Sequence, residues 1–116
     1  MLALRVREHL CRIVGQATPI TYQALAKVLH LSPPNTIHQL TVALECLIDE
    51  DAAAARPLIA ALVVSKARGG LPAPGFFDCV RRVGRFDGDP SGPESSAFHA
   101  AEFNKAVEFW SAAAEV

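Results

Sequence analysis

Two amphipathic stripes separated by a four-residue break constrain this chain more than any other feature of its sequence. Thr21 has the position of a helix cap, its hydroxyl placed to accept an orphan backbone N–H. Ile20 before it and Leu25 at the fourth helical position have the spacing of a hydrophobic staple. Leu25, Val28 and Leu29 then form an inward stripe. Leu31-Ser32-Pro33-Pro34 breaks the run. A second stripe starts near Ser32 or Asn35, and Ser32 followed by Pro33 fits the preference for a cap and then a proline. Ile37, Leu40, Leu44, Leu47 and Ile48 fall at offsets of 0, 3, 7, 10 and 11, one face of a helix. That helix is expected to run to about Ala54, with Pro57 ending it. Two helices joined by a short turn are the core of a helix-turn-helix.

The flanks extend this core. Val6, Leu10, Ile13 and Val14 predict a first helix over Leu2 to Val14, with Gly15 as its stop. Pro57 to Lys66 is short and apolar, with β-branched Ile59, Val63 and Val64, and reads as a strand. A helix is the other reading of so short a run. Ala67 to Gly75 is rich in turn residues and is expected to form a wing-like loop or hairpin tip. A short helix from Phe76 to about Val83 and a polar loop from Gly84 to Ser95 follow. A last helix from Ser96 has Phe103, Val107 and Trp110 at helical spacing. The expected fold is therefore mainly α (α+β): one winged-helix-like domain over residues 1–116, with a short strand or hairpin and an added C-terminal helix.

Charge bears on the partner. The formal net charge is −1, whereas a dedicated nucleic-acid binder is usually basic. The distribution is uneven. Residues 1–44 carry net +3 and residues 57–86 net +4, against −3 for 45–56 and −5 for 87–116. A fold that merges the two basic blocks would make a face for phosphates. The three cysteines, Cys11, Cys46 and Cys79, are odd in number and far apart, so reduced thiols in the cytoplasm are expected. No apolar run approaches the roughly 20 residues needed to span a bilayer, and no membrane partner is expected.

Pro19-Ile-Thr-Tyr-Gln-Ala-Leu-Ala resembles the segment that opens the helix-turn-helix of the alkylguanine-DNA alkyltransferases and alkyltransferase-like proteins. Ile37-His-Gln-Leu-Thr-Val-Ala-Leu is similar to that family's recognition helix. The likeness covers roughly residues 10–75, and His38 aligns with the basic residue that the family inserts into the base stack. The family's nucleophilic Pro-Cys-His-Arg motif is absent, and apolar Arg56-Pro-Leu-Ile-Ala-Ala-Leu stands in its place. The resemblance thus implies the winged-helix fold of a DNA-binding region more than an activity, without alkyl transfer. Leu62 to Phe77 also resembles a pattern in uncharacterised bacterial proteins, which implies no function.

The candidate sites follow. With the stripe inward, His38, Gln39, Thr41, Glu45 and Asp49 face outward on the third helix. Gln39 and Thr41 are suited to base edges and His38 to a phosphate or base. Thr21, Tyr22 and Asn35 would support backbone contacts, and Lys66 and Arg68 on the loop would hold phosphates. Arg81, Arg82 and Arg85 are further cations. Against this, Glu45, Asp49, Glu50 and Asp51 would repel DNA unless they point out of the groove. Phe103, Val107 and Trp110 are the candidate anchors for a protein partner or a second copy. Cys79 beside Arg81 and Arg82 is the one candidate thiolate, and a buried inert thiol is its simpler reading. No motif calls for a metal, cofactor or catalytic centre. A non-enzymatic module that binds double-stranded DNA, or alternatively a protein-interaction or homodimerisation module, is the functional expectation.

Overall fold

The computed structural model describes residues 2–89 and 92–114. Helix α1 spans Leu2–Ile13 and buries Ala3, Val6 and Leu10. Its end differs from expectation. The chain tightens into a 3-10 turn at Val14–Gln16, and Ala17, rather than Gly15, takes the left-handed conformation that stops it. Strand β1 (Ile20–Thr21) leads straight into α2 (Tyr22–Val28). Thr21 caps α2 as its position predicts, its hydroxyl accepting the Ala24 N–H at 3.1 Å. Leu25 and Leu29 are buried, but Val28 is 46% exposed, so the inward stripe is narrower than the sequence suggested.

The turn into the next helix is longer than four residues. Helix α3 (Thr36–Ala53) starts after Asn35, which caps it by position in left-handed backbone without a side-chain hydrogen bond. Leu40, Leu44, Leu47 and Ile48 are buried as expected. Ile37 is 39% exposed, because it lies in the first turn where no neighbouring element covers it. At the other end Ala55 is left-handed (φ 57°) and the Arg56 N–H reaches back to the Asp51 carbonyl at 2.8 Å. That closure and Pro57 end the helix.

Most of the expected strand from Pro57 to Lys66 is not strand. Residues Ile59–Leu62 form a 3-10 turn, and only Val63–Val64 is strand β2. It pairs in parallel with β1, Ile20 opposite Val63 and Thr21 opposite Val64. After β2 the chain makes a second 3-10 turn at Lys66–Arg68 and a loop closed by the Ser65 N–H on the Leu71 carbonyl at 2.7 Å. Gly69 and Gly70 carry φ of 62° and 92° in that loop, which suits residues without a Cβ. It is a closed loop rather than a hairpin tip, and the sheet has two strands among the described residues.

Helix α4 (Pro74–Arg82) starts on its proline, and α5 (Pro93–Ala114) starts three residues before the expected Ser96. Leu58, Ile59 and Leu62 are fully buried where the Ile59–Leu62 turn meets α1, α3 and α5, and Val63 of β2 and Phe77 of α4 are fully buried too. The fold is thus mainly helical with a two-strand parallel sheet. No helix among the described residues is long and apolar enough to cross a membrane.

Candidate nucleic-acid interface

Residues 9–44 contain no Asp or Glu, and neither do residues 52–77. The parallel pairing of β1 with β2 ties these two acid-free stretches side by side. It places the loop after β2, with Lys66 and Arg68, beside the start of α2, near enough for the Arg68 charge to act on the Tyr22 hydroxyl. Lys27 is exposed on the last turn of α2. Among the described residues, none of these three cations has an ion-pair or hydrogen-bond partner. Asn35 and His38 are exposed at the start of α3.

The other candidate readers are occupied. Gln39 is half-buried, and its amide donates to the carbonyls of Ser32 (3.1 Å) and Pro34 (3.0 Å), pinning the α2–α3 turn. Thr41 is half-buried too and donates to the Ile37 carbonyl at 2.9 Å. Both side chains stay partly exposed, but their polar atoms are already bonded to nearby backbone carbonyls. Thr21 is committed to its cap. Tyr22 is buried at 7% exposure, its hydroxyl accepting the Ala73 N–H at 3.1 Å. Burial pushes the phenol up, against the Ala73 bond and the Arg68 charge. Tyr22 therefore joins α2 to the loop and does not reach outward.

Of the arginines expected to widen the basic face, Arg85 is half-buried in the fold, and Arg81 and Arg82 stay exposed with partners of their own. Arg82 pairs with Asp49 at 2.9 Å, and Arg81 donates to the Gly88 carbonyl. Arg85 donates to the carbonyls of Arg56 (2.7 Å) and Asp51 (3.4 Å) and faces Glu102 at 3.5 Å. Pairing also offsets three of the four α3 acids, Asp49, Glu50 and Asp51, and leaves Glu45 as a carboxylate beside Tyr22 and Thr41. Glu50 meets Arg7 at 3.1 Å, and fully buried Asp51 meets Arg7 at 3.0 Å and Arg56 at 2.9 Å. Glu45 turns toward Cys79. Burial, with Glu45, pushes the Cys79 thiol up while Arg82 pulls it down only in part, so it is a buried thiol and not an activated nucleophile.

A second polar cluster escaped sequence reasoning. The segment from Arg56 to Ala61 has no sheet partner, and its backbone is satisfied by distant side chains. Glu102 accepts the Leu58 N–H at 2.8 Å, and Asp51 accepts the Ile59 N–H at 3.1 Å. His99 lies 2.9 Å from the Ala61 carbonyl. The Trp110 indole N–H donates to the Pro57 carbonyl at 3.0 Å. The guanidinium groups of Arg7 and Arg56 lie 5.1 and 5.2 Å from the indole ring centroid. Two guanidinium nitrogens there, Arg7 Nη1 and Arg56 Nε, are buried without a hydrogen-bond partner. Trp110 is thus a core residue and not an exposed anchor. Phe103 and Val107 are half-buried against the core. The nearest signal in the sequence was the apolar run beside Arg56, with no ladder to use its polar backbone.

One apolar groove remains open between α1 and α3, lined by Leu2, Ala3, His38, Gln39, Val42, Ala43 and Cys46. Val42 there is 53% exposed. No group of three or more His, Cys, Asp or Glu side chains suited to a metal ion occurs among the described residues. No family model matches the chain, and neither a curated protein nor a solved structure is significantly similar to it.

Proposed function

We propose that this chain is a non-enzymatic, winged-helix-like module that holds double-stranded DNA mainly by its phosphates. The observation that carries the reading is the β1–β2 pairing, which joins two acid-free stretches beside α2 and the start of α3, where Lys27, Lys66 and Arg68 have no ion-pair partner among the described residues. In this reading the loop after β2 is the wing, and Lys66 and Arg68 grip the backbone. Asn35 and His38 are the side chains left to meet a groove, since Gln39 and Thr41 are engaged. No cofactor takes part, and the unpaired cysteines suit a reducing cytoplasm.

Three phosphate contacts set the size of the effect. The logarithm of the binding constant should fall against the logarithm of salt with a slope of about −3. Fluorescence anisotropy on a labelled duplex across a salt series measures it. Lys66→Ala with Arg68→Ala should reduce the slope by about 2. No binding at low salt, or a slope that the double variant leaves unchanged, ends this reading.

A protein-interaction or homodimerisation module is the second reading, favoured by the open groove at Val42. It predicts that sedimentation shows association at rising concentration and that Val42→Asp abolishes it. A monomer at all concentrations removes the homodimer from consideration.

A further inference from the structure

We infer that His99 is a proton-controlled latch, holding α5 on the 57–62 segment when its imidazole is neutral and releasing it when the ring takes up a second proton. The inference is independent of the ligand proposed above. His99 is 8% exposed, and its Nε2 lies 2.9 Å from the Ala61 carbonyl. A carbonyl only accepts, so Nε2 carries the hydrogen and one proton completes the bond. The rest of the ring lies among aromatic side chains. Phe76 meets it edge-on with centroids 6.3 Å apart, and Phe103 is 6.1 Å away.

A second proton would make a buried cation whose nearest carboxylate on its own helix, Glu102, is already engaged elsewhere. The Ile59–Leu62 turn carries no titratable side chain. Helix α4 presents Phe76 to the ring. One turn along α5, Glu102 is already engaged by the Leu58 N–H and Arg85. Burial holds the imidazole below its ordinary value of 6.5, with the Ala61 bond opposing that shift. The sign follows. The docked form prefers the neutral ring, so docking is strongest above 6.5 and is lost as the pH falls below it. Release would also break the Glu102 bond to Leu58 and the Trp110 bond to Pro57, since both belong to α5.

Hydrogen exchange of the full chain at pH 7.5, 6.5 and 5.5, corrected for intrinsic rates, tests the latch. The opening of α5 should rise by up to about tenfold per pH unit below about 6.5, while α3 keeps its protection. His99→Gln retains an N–H for the Ala61 carbonyl and cannot titrate, so its α5 exchange should be flat with pH. Unchanged α5 protection in the native chain, or the same pH dependence in His99→Gln, would overturn the inference. Should that variant fail to fold, the ring resonances of His99 in the native chain decide. An α5 exchange transition that follows the ring titration below 6.5 supports the latch, and α5 protection that ignores that titration refutes it.

Discussion

The α2–α3 face and the Arg56–Ala61 segment solve the same problem in opposite ways. Both contain backbone groups with no regular partner. On the α2–α3 face, near neighbours in the chain satisfy the helix start and the turn, with Arg5 on the Leu29 carbonyl and Tyr22 on the Ala73 N–H as the longer-range partners. Thr21 caps the helix three residues on, and Gln39 reaches carbonyls five and seven residues back. In the second region the partners come from other elements, and Glu102 and Trp110 lie 44 and 53 residues from the groups they satisfy. The first arrangement leaves cations at the surface unspent. The second consumes Arg7, Arg56 and Arg85 inside the fold. Function is therefore sought on the locally closed face, and stability in the remotely closed segment.

The comparison can be broken by substitution. Leu44→Asp should have the largest effect, because it puts a lone carboxylate into a site only 5% exposed, facing the core from α3. We expect loss of cooperative thermal unfolding, and a variant that still melts sharply would mean the inward face of α3 is misassigned. Asp51→Asn comes next. It leaves Arg7 and Arg56 facing each other without their shared anion, at an expected cost of about 3–5 kcal/mol in chemical denaturation. A loss under about 1 kcal/mol would show that the remote network contributes no more than a surface pair. Thr21→Ala should be the mildest, about 1 kcal/mol from one lost cap. If it matched Asp51→Asn, the contrast between local and remote closure would fail.

What was legible in the sequence follows the same division. The Thr21 cap and the burial of Leu40, Leu44, Leu47 and Ile48 are set by spacing within one helix, and spacing is visible in a sequence. Val28 and Ile37 share that spacing but lie where no other element arrives, so periodicity overstated their burial. Pro57 to Lys66 was read as strand because short apolar runs look alike. What shapes the stretch is side chains from α3 and α5, which no local pattern reveals. At the candidate site, Lys66 and Arg68 are exposed or half-exposed on a loop as composition suggested. Gln39 and Thr41 pointed outward by helical angle alone, and the angle says nothing about a side chain that bends back to its own carbonyls. Tyr22 and Trp110 were unique residues whose roles depended on the Ala73 amide and the Pro57 carbonyl, 51 and 53 residues away.

The distance between Pro57 and Trp110 also has a meaning in time. A ribosome adding about 5–20 residues per second makes the indole about 3–10 s after the carbonyl it will receive. Through that interval the apolar stretch from Leu58 to Val64 has been synthesised without its α5 cover. Until α5 is made, that stretch has only the earlier elements, chiefly α1 and α3, to cover it, and its remaining face is where premature association would begin.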